Sequence, residues 1–166
     1  QAELIELVSN LSKTSNVGGV SGRLHRGIDS DDYTQRCNSI PDGKLKVSDC
    51  DGPRLLAALQ SNIDLVKPNK EELQNTLGRE MKSREELLKG CHQLIDKGAK
   101  VVLLSLGKRG AVITDGSKNY YCRSINVAVN STVGAGDGML AAASIFLEQG
   151  SPLPEILRAG VAARTA

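Results

Sequence analysis

The chain has 166 residues, of which 40% are hydrophobic and 24% charged, and its formal net charge is +2. This length is close to that of one domain, and the composition is typical of a globular protein rather than a disordered or fibrous one. The near-neutral charge and an aromatic content of 2% argue against a nucleic acid partner, which a protein usually binds with basic patches and stacking aromatics. No apolar stretch is long enough to span a bilayer, so we expect no membrane partner.

The four cysteines and two histidines do not resemble a zinc site. No CxxC pair occurs, and neither histidine lies at metal-ligand spacing from a cysteine. A globular chain of this size does not need disulfides for stability, so we expect free thiols in a reducing compartment. The first residues lack a targeting pattern, and the sequence therefore predicts a cytoplasmic protein.

The first part of the chain alternates predicted helices with predicted strands. In chain order we expect a helix over 4–11, a strand over 16–21, a helix from 29–32 to about 40, a strand over 44–48, a helix over 53–60 and a strand over 64–66. Gly18 and Gly19 weaken the pattern of the first strand, whereas Pro53 suits the first turn of a helix.

The second part has stronger signals. Asn69 and Gly78 are expected to begin and end one helix, and Ser83 with Glu86 forms a capping box that predicts a second, over 83–97. The continuous apolar run over 101–106 is typical of a strand buried on both faces. A hairpin over 111–123, a helix over 134–149 and a final helix follow. We therefore predict a single α/β domain over 1–166, with a mainly parallel sheet between helices.

The most informative segment is NSTVGAGDG at 130–138, directly before a predicted helix. Free amides at a helix N-terminus form an anion site, here those of Gly134, Ala135 and Gly136. An acid directly after them is unexpected in a site that only holds phosphate, but Asp137 could take a proton from an attacking hydroxyl. The alternative is that Asp137 merely favours the helix dipole and the glycines form an ordinary turn. The segment matches neither the Walker A nor the Rossmann pattern.

The run STVGAGDGMLAA at 131–142 resembles the C-terminal motif of the ribokinase/PfkB carbohydrate kinase family, and most of all its phosphofructokinase branch. Three further segments agree in order and spacing: SG at 21–22, KPNKEEL at 67–73 and SLGKRGA at 105–111. The resemblance implies a ribokinase-like three-layer α/β/α fold. It also implies Mg²⁺-dependent transfer of phosphate from ATP to fructose 1-phosphate, fructose 6-phosphate or tagatose 6-phosphate. The family's N-terminal part and β-sheet lid have no counterpart here, so we interpret the chain as the C-terminal portion of a longer, homodimeric kinase.

The resemblance also implies roles for individual residues. Asp137 would be the catalytic base, and the amides of Gly134, Ala135 and Gly136 the anion hole. Ser21 and Gly22 would lie near the sugar phosphate, and Asn69 and Glu72 would hold Mg²⁺ through water. The nucleotide would be bound by Lys67, Asn69, Ser105, Gly107, Gly110 and Thr132. Without the resemblance, Lys67 is interpreted as a solvated lysine, Asn69 as a helix cap and Glu72 as an exposed acid.

Two segments depart from the family pattern. The family's SGSLPPG is SGRLHRG here, and we hypothesise that Arg23 and Arg26 attract the sugar phosphate in the absence of the two prolines. The family's DTSG is Asp49-Cys50-Asp51-Gly52, with an additional acid. Two other functions stay open: a kinase for another sugar or a nucleoside, and a nucleotide-binding remnant without catalysis.

Overall fold

The computed structural model of the protein describes residues 6–7, 9–11, 13–22, 31–124 and 134–164. Its centre is a six-stranded sheet in the order β1-β2-β3-β4-β5-β6. The strands are β1 (Val17–Ser21), β2 (Leu45–Asp49), β3 (Ile63–Val66), β4 (Ala99–Ser105), β5 (Ala111–Thr114) and β6 (Asn119–Cys122). The first four strands are parallel, and β5 and β6 form an antiparallel hairpin at one edge. The predicted α/β class with a mainly parallel sheet is therefore confirmed.

Helices surround this sheet. They are α1 (Asp31–Asn38), α2 (Gly52–Leu59), α3 (Lys70–Leu77), α4 (Arg84–Asp96), α5 (Ala135–Glu148) and α6 (Leu153–Ala163). The predicted capping box of α4 is confirmed, because the Ser83 hydroxyl accepts from the Glu86 amide while the Glu86 carboxylate accepts from the Ser83 amide. No helix in the described part of the chain is long and apolar enough to cross a membrane.

The alternation of side chains along β4 divides the core into two layers. Val102 and Leu104 pack into one cluster with buried residues of α1 to α4, whereas Val101 and Leu103 pack into a second cluster with α5 and α6. Side chains that alternate between the faces of a strand explain why the apolar run is continuous. The three-layer α/β/α arrangement is thereby confirmed.

Two strands differ from what residue propensities alone predict. β4 begins at Ala99, two residues before the predicted start, because Gly98 turns the chain with φ +124° and Ala99 already pairs with Ile63. Gly18 does not interrupt β1: a Cβ at this position would lie 2.7 Å from the side chain of Ile40, so the glycine makes room for a core residue. The predictions for Arg23, Arg26 and Thr132 concern residues outside those the structure describes.

Candidate active site

A cleft of about 320 Å³ lies where the carboxyl ends of β1 and β2 meet the first turns of α2, α3 and α5. In open α/β sheets this end of the strands is the usual position of a ligand site. The cleft is lined by Ser21, Gly22, Asp49, Cys50, Asp51, Glu72 and Asp137. Four of the predicted site residues, from both ends of the sequence, therefore share one cavity: Ser21, Gly22, Glu72 and Asp137.

Helix α5 begins at this cleft, at Ala135. Gly134 precedes it with φ +81°, and the first hydrogen bond of the helix runs from the Gly138 amide to the Gly134 carbonyl over 2.9 Å. By helix geometry, the amides of Ala135, Gly136 and Asp137 have no acceptor within the helix. The positive end of the α5 dipole and the exposed Asp137 carboxylate thus lie within one turn of each other.

A buried ion pair lies beside the same helix turn. The Lys67 ammonium, at the carboxyl end of β3, contacts the Asp49 carboxylate at 2.9 Å, and the Lys67 side chain is only 5% exposed. A Cβ at Gly136 would lie 3.3 Å from Lys67 Nζ and 3.9 Å from Asp49 Oδ2. The glycine therefore lets the start of α5 approach the ammonium closely, and the two positive groups together favour an anionic ligand beside them.

Asn69 and Glu72 form the capping box of α3. The Asn69 side chain accepts from the Glu72 amide at 2.9 Å, and the Glu72 carboxylate accepts from the Asn69 amide at 2.7 Å. The predicted N-cap is confirmed, and Glu72 is half-buried rather than an exposed acid. Burial raises the pKa of Glu72, and the nearby Asp49 and Asp51 carboxylates raise it further against the Asn69 hydrogen bond and the Lys67 charge.

The predicted nucleotide residues follow β3 and β4. The Ser105 amide donates to the Pro68 carbonyl at 2.9 Å, so Asn69 lies beside Ser105, the last residue of β4. A 3₁₀ turn over Gly107–Arg109 comes next, and the Arg164 guanidinium donates to the Gly107 carbonyl at 2.8 Å.

Gly110 ends this turn with φ +102°, and a Cβ there would lie 1.9 Å from the Cys122 carbonyl oxygen. Gly110 thus permits the close approach of two strands, whether or not a nucleotide binds there.

The structure adds three residues to the cleft that the predicted site did not contain. Asp49 is the last residue of β2 and Cys50 follows it, and Asp51, which precedes α2, is paired with the Arg54 guanidinium at 2.6 Å. Their position at the end of a predicted parallel strand was the available signal, because such ends face the ligand site. The Asp51–Arg54 pair is a local i,i+3 contact, whereas the pairing of Asp49 with Lys67 had no signal in the local sequence.

The carboxylates of the cleft also meet the needs of a hard divalent cation. Asp49, Asp51, Glu72 and Asp137 outnumber the two paired cations, Lys67 and Arg54. Oxygen ligands of this kind suit Mg²⁺, which keeps several of its waters in proteins. Within the described ranges no three acidic, histidine or cysteine side chains converge closely enough to ligate a metal together.

Comparison with known proteins identifies the family of the chain. The chain matches the family model of the pfkB family carbohydrate kinases over residues 4–165. It belongs to that family. The curated relatives include the ATP-dependent 6-phosphofructokinase isozyme 2 of Escherichia coli, 35% identical over 150 residues, and the 1-phosphofructokinase of Borreliella burgdorferi, 32% identical over 161 residues.

These matches cover 89% and 96% of this chain but 48% and 52% of the relatives, so the chain spans about half the length of the pfkB kinases it matches. The crystal structure of the phosphofructokinase-2 from Escherichia coli in complex with potassium superimposes with a TM-score of 0.90 at 35% identity. The superposition covers 99% of this chain and 54% of that one. The resemblance to the phosphofructokinase branch is confirmed.

Proposed function

We propose that the full-length protein transfers phosphate from ATP to a hydroxyl group of a phosphorylated ketohexose. The observation that carries this proposal is the shared cleft, in which the exposed Asp137 lies with Ser21 and Gly22 while the first turn of α5 adjoins Lys67. Family membership supports the same reaction, and the curated relatives named above are two phosphofructokinases. The candidate acceptors are fructose 1-phosphate, fructose 6-phosphate and tagatose 6-phosphate.

In this proposal Asp137 is the general base. Its carboxylate takes the proton of the acceptor hydroxyl while the hydroxyl oxygen forms a bond to the γ-phosphorus of ATP. The bond from that phosphorus to the β,γ-bridging oxygen breaks, and ADP leaves with the electron pair. A base held beside the reacting oxygen contributes about 10²- to 10⁴-fold to the rate of such a step.

The charge that develops on the transferred group is met by the start of α5. The amides of Gly134, Ala135 and Gly136 form the proposed anion hole; helix geometry gives those of Ala135 and Gly136 no acceptor within α5, and the Lys67 ammonium lies 3.3 Å from the position of a Gly136 Cβ. Donors held in place before the reaction stabilise a transition state without the cost of reorganisation. Asn69, Ser105, Gly107, Gly110 and Thr132 complete the proposed nucleotide site.

Mg²⁺ is the proposed metal, with Glu72 and Asn69 as its outer ligands through water. When bound, it would offset the phosphate charge of ATP. This chain contributes a cleft in which acids outnumber bases. Without a cation, two phosphate-bearing substrates would be repelled by the carboxylates of Asp49, Asp51 and Glu72.

The test is the variant Asp137→Asn in the full-length protein. We expect turnover to fall by about 10²- to 10⁴-fold while ATP binding, measured by calorimetry, stays close to wild type. Asp96→Asn, which changes an exposed acid at the end of α4, should leave both quantities unchanged. Near-normal turnover of Asp137→Asn would refute the proposed base.

Release of ADP over a panel of sugars, sugar phosphates and nucleosides identifies the acceptor. Turnover with another sugar or a nucleoside would reassign the substrate within the family, and no turnover with ATP bound would support a nucleotide-binding remnant.

We also propose a cytoplasmic homodimer. The four free thiols support a reducing compartment, and light scattering of the full-length protein tests the dimer.

A further inference from the structure

Tyr33 connects the outer helical layer with the cleft. It lies on α1 with 1% of its surface exposed, and its hydroxyl donates a hydrogen bond to the carbonyl of Gly22. Gly22 itself is exposed and lines the cleft beside Ser21. A buried side chain therefore holds a backbone group at the edge of the proposed substrate site.

Gly22 is held from its other side by the sheet. Its amide donates to the Asp49 carbonyl at 3.2 Å, and Ser21 pairs with Asp49 in the parallel register of β1 and β2. Its φ of +95° lies in a region that glycine adopts at no steric cost. The Tyr33 and Asp49 bonds thus hold the two sides of a residue whose own backbone preference is weak.

No proline occurs between Gly22 and Tyr33, so nothing in the local sequence restricts φ in this segment. Among the described residues, the restraints on Gly22 are its tertiary hydrogen bonds with Tyr33 and Asp49. Burial raises the pKa of Tyr33, and the nearby Cys50 thiol raises it further, so the hydroxyl keeps its proton and remains a donor.

We propose that Tyr33 is a positioning residue for the acceptor side of the active site, acting through its hydrogen bond to the Gly22 carbonyl. This inference rests on the proposed function, because it assumes that Ser21 and Gly22 face the phosphorylated sugar. The hydrogen bond from Tyr33 restrains the backbone at Gly22, as a rigid local turn would do in its place. Loss of the hydroxyl therefore loosens the acceptor side and leaves the nucleotide side in place.

The test is Tyr33→Phe in the full-length protein, which keeps the ring in the core and removes one hydroxyl. We expect the KM for fructose 6-phosphate, or for the acceptor found in the panel, to rise roughly fivefold, the effect of one lost hydrogen bond. The KM for ATP and kcat should stay within about twofold, since the contacts of Lys67 and α5 are unchanged. A purely structural effect would lower the amount of active enzyme, and hence apparent kcat, without this selective change.

Two matched variants calibrate the result. Thr34→Val removes the neighbouring hydroxyl of α1, which donates to the Ala57 carbonyl at 2.9 Å away from the cleft. Tyr121→Phe removes a hydroxyl that donates to the Arg109 carbonyl in the 3₁₀ turn. Neither should change the KM for the sugar phosphate. An equal rise in Thr34→Val would overturn the proposal, because it would show a general loosening of α1.

Hydrogen exchange gives a readout that does not depend on turnover. The Gly22 amide should be protected in the ligand-free wild type and exchange faster in Tyr33→Phe. An unprotected wild-type amide, or an unchanged KM in Tyr33→Phe, would overturn the positioning role while the kinase proposal stands. If the wild type neither binds nor phosphorylates any acceptor, the proposed function fails, and with it the positioning role, whatever the exchange rates.

Discussion

Two aspartate–lysine ion pairs at opposite ends of the sheet have almost the same length and different surroundings. Asp49 and Lys67 meet at 2.9 Å beside the cleft, and Asp64 and Lys100 meet at 2.8 Å near the amino ends of β3 and β4. The Lys67 side chain is 5% exposed, whereas that of Lys100 is 68% exposed. Distance alone therefore says little about what each pair does.

The difference lies in what else faces each ammonium. Lys67 is buried next to the positive end of α5, so the fold places two positive groups together and needs Asp49 to compensate. Lys100 keeps its hydration, and Asp64 also accepts from the Lys46 amide at 2.7 Å. A buried pair beside the proposed ligand site is therefore the stronger candidate for a role in binding, whereas the solvated pair at the other end is expected to give only minor support to the fold.

The largest effect is expected for Lys67→Met, which keeps the length of the side chain and removes its charge. Asp49 is then left without its partner in a mostly buried position, and the free energy of unfolding should fall by about 3 kcal/mol. Turnover should fall as well, because the proposed anion site loses its cation. Chemical denaturation and steady-state kinetics measure the two effects.

The double variant Lys67→Met with Asp49→Asn separates the effect on stability from the effect on turnover. Removal of both charges should recover much of the lost stability, since a neutral pair leaves no uncompensated buried charge. Turnover should stay low. Recovery of turnover together with stability would mean that Lys67 serves the fold alone.

Local patterns predicted the parts of the fold in which neighbours in sequence are neighbours in space. The Ser83 and Glu86 capping box and the apolar run of β4 are of this kind. The Asp49–Lys67 pair joins two strands and depends on their register, which no local pattern contains. The contact of Tyr33 with Gly22 was missed for the same physical reason.

The carboxylate cluster of the cleft is tested by Glu72→Gln. The amide oxygen of glutamine can still accept from the Asn69 amide, so the capping box of α3 should survive. We expect the Mg²⁺ concentration for half-maximal turnover to rise about tenfold, as is typical when an outer-shell group of a metal site is changed. Metal titration at saturating ATP measures it, and an unchanged Mg²⁺ requirement would exclude Glu72 from the metal site.

The same variant has a pH signature in the metal-free protein. Because the pKa of Glu72 in the folded chain is raised above its ordinary value of 4.5, ionisation of Glu72 disfavours the folded state. Its contribution to stability is complete below that value and is lost as the pH rises through the raised pKa. The free energy of unfolding of Glu72→Gln, relative to wild type, should therefore increase with pH above 4.5 and then level off.

The smallest effect is expected for Lys100→Met, at the opposite end of the sheet. Lys100 is mostly exposed, and solvent-screened pairs of this kind contribute about 0.2–1 kcal/mol to the free energy of unfolding. Asp64 keeps its hydrogen bond from the Lys46 amide, so the carboxylate is not left unpaired. We expect kcat and both KM values to match the wild type in the assays used for Lys67→Met. A loss of stability as large as that of Lys67→Met, or a change in kinetics, would show that the exposure of the ammonium does not distinguish the two pairs.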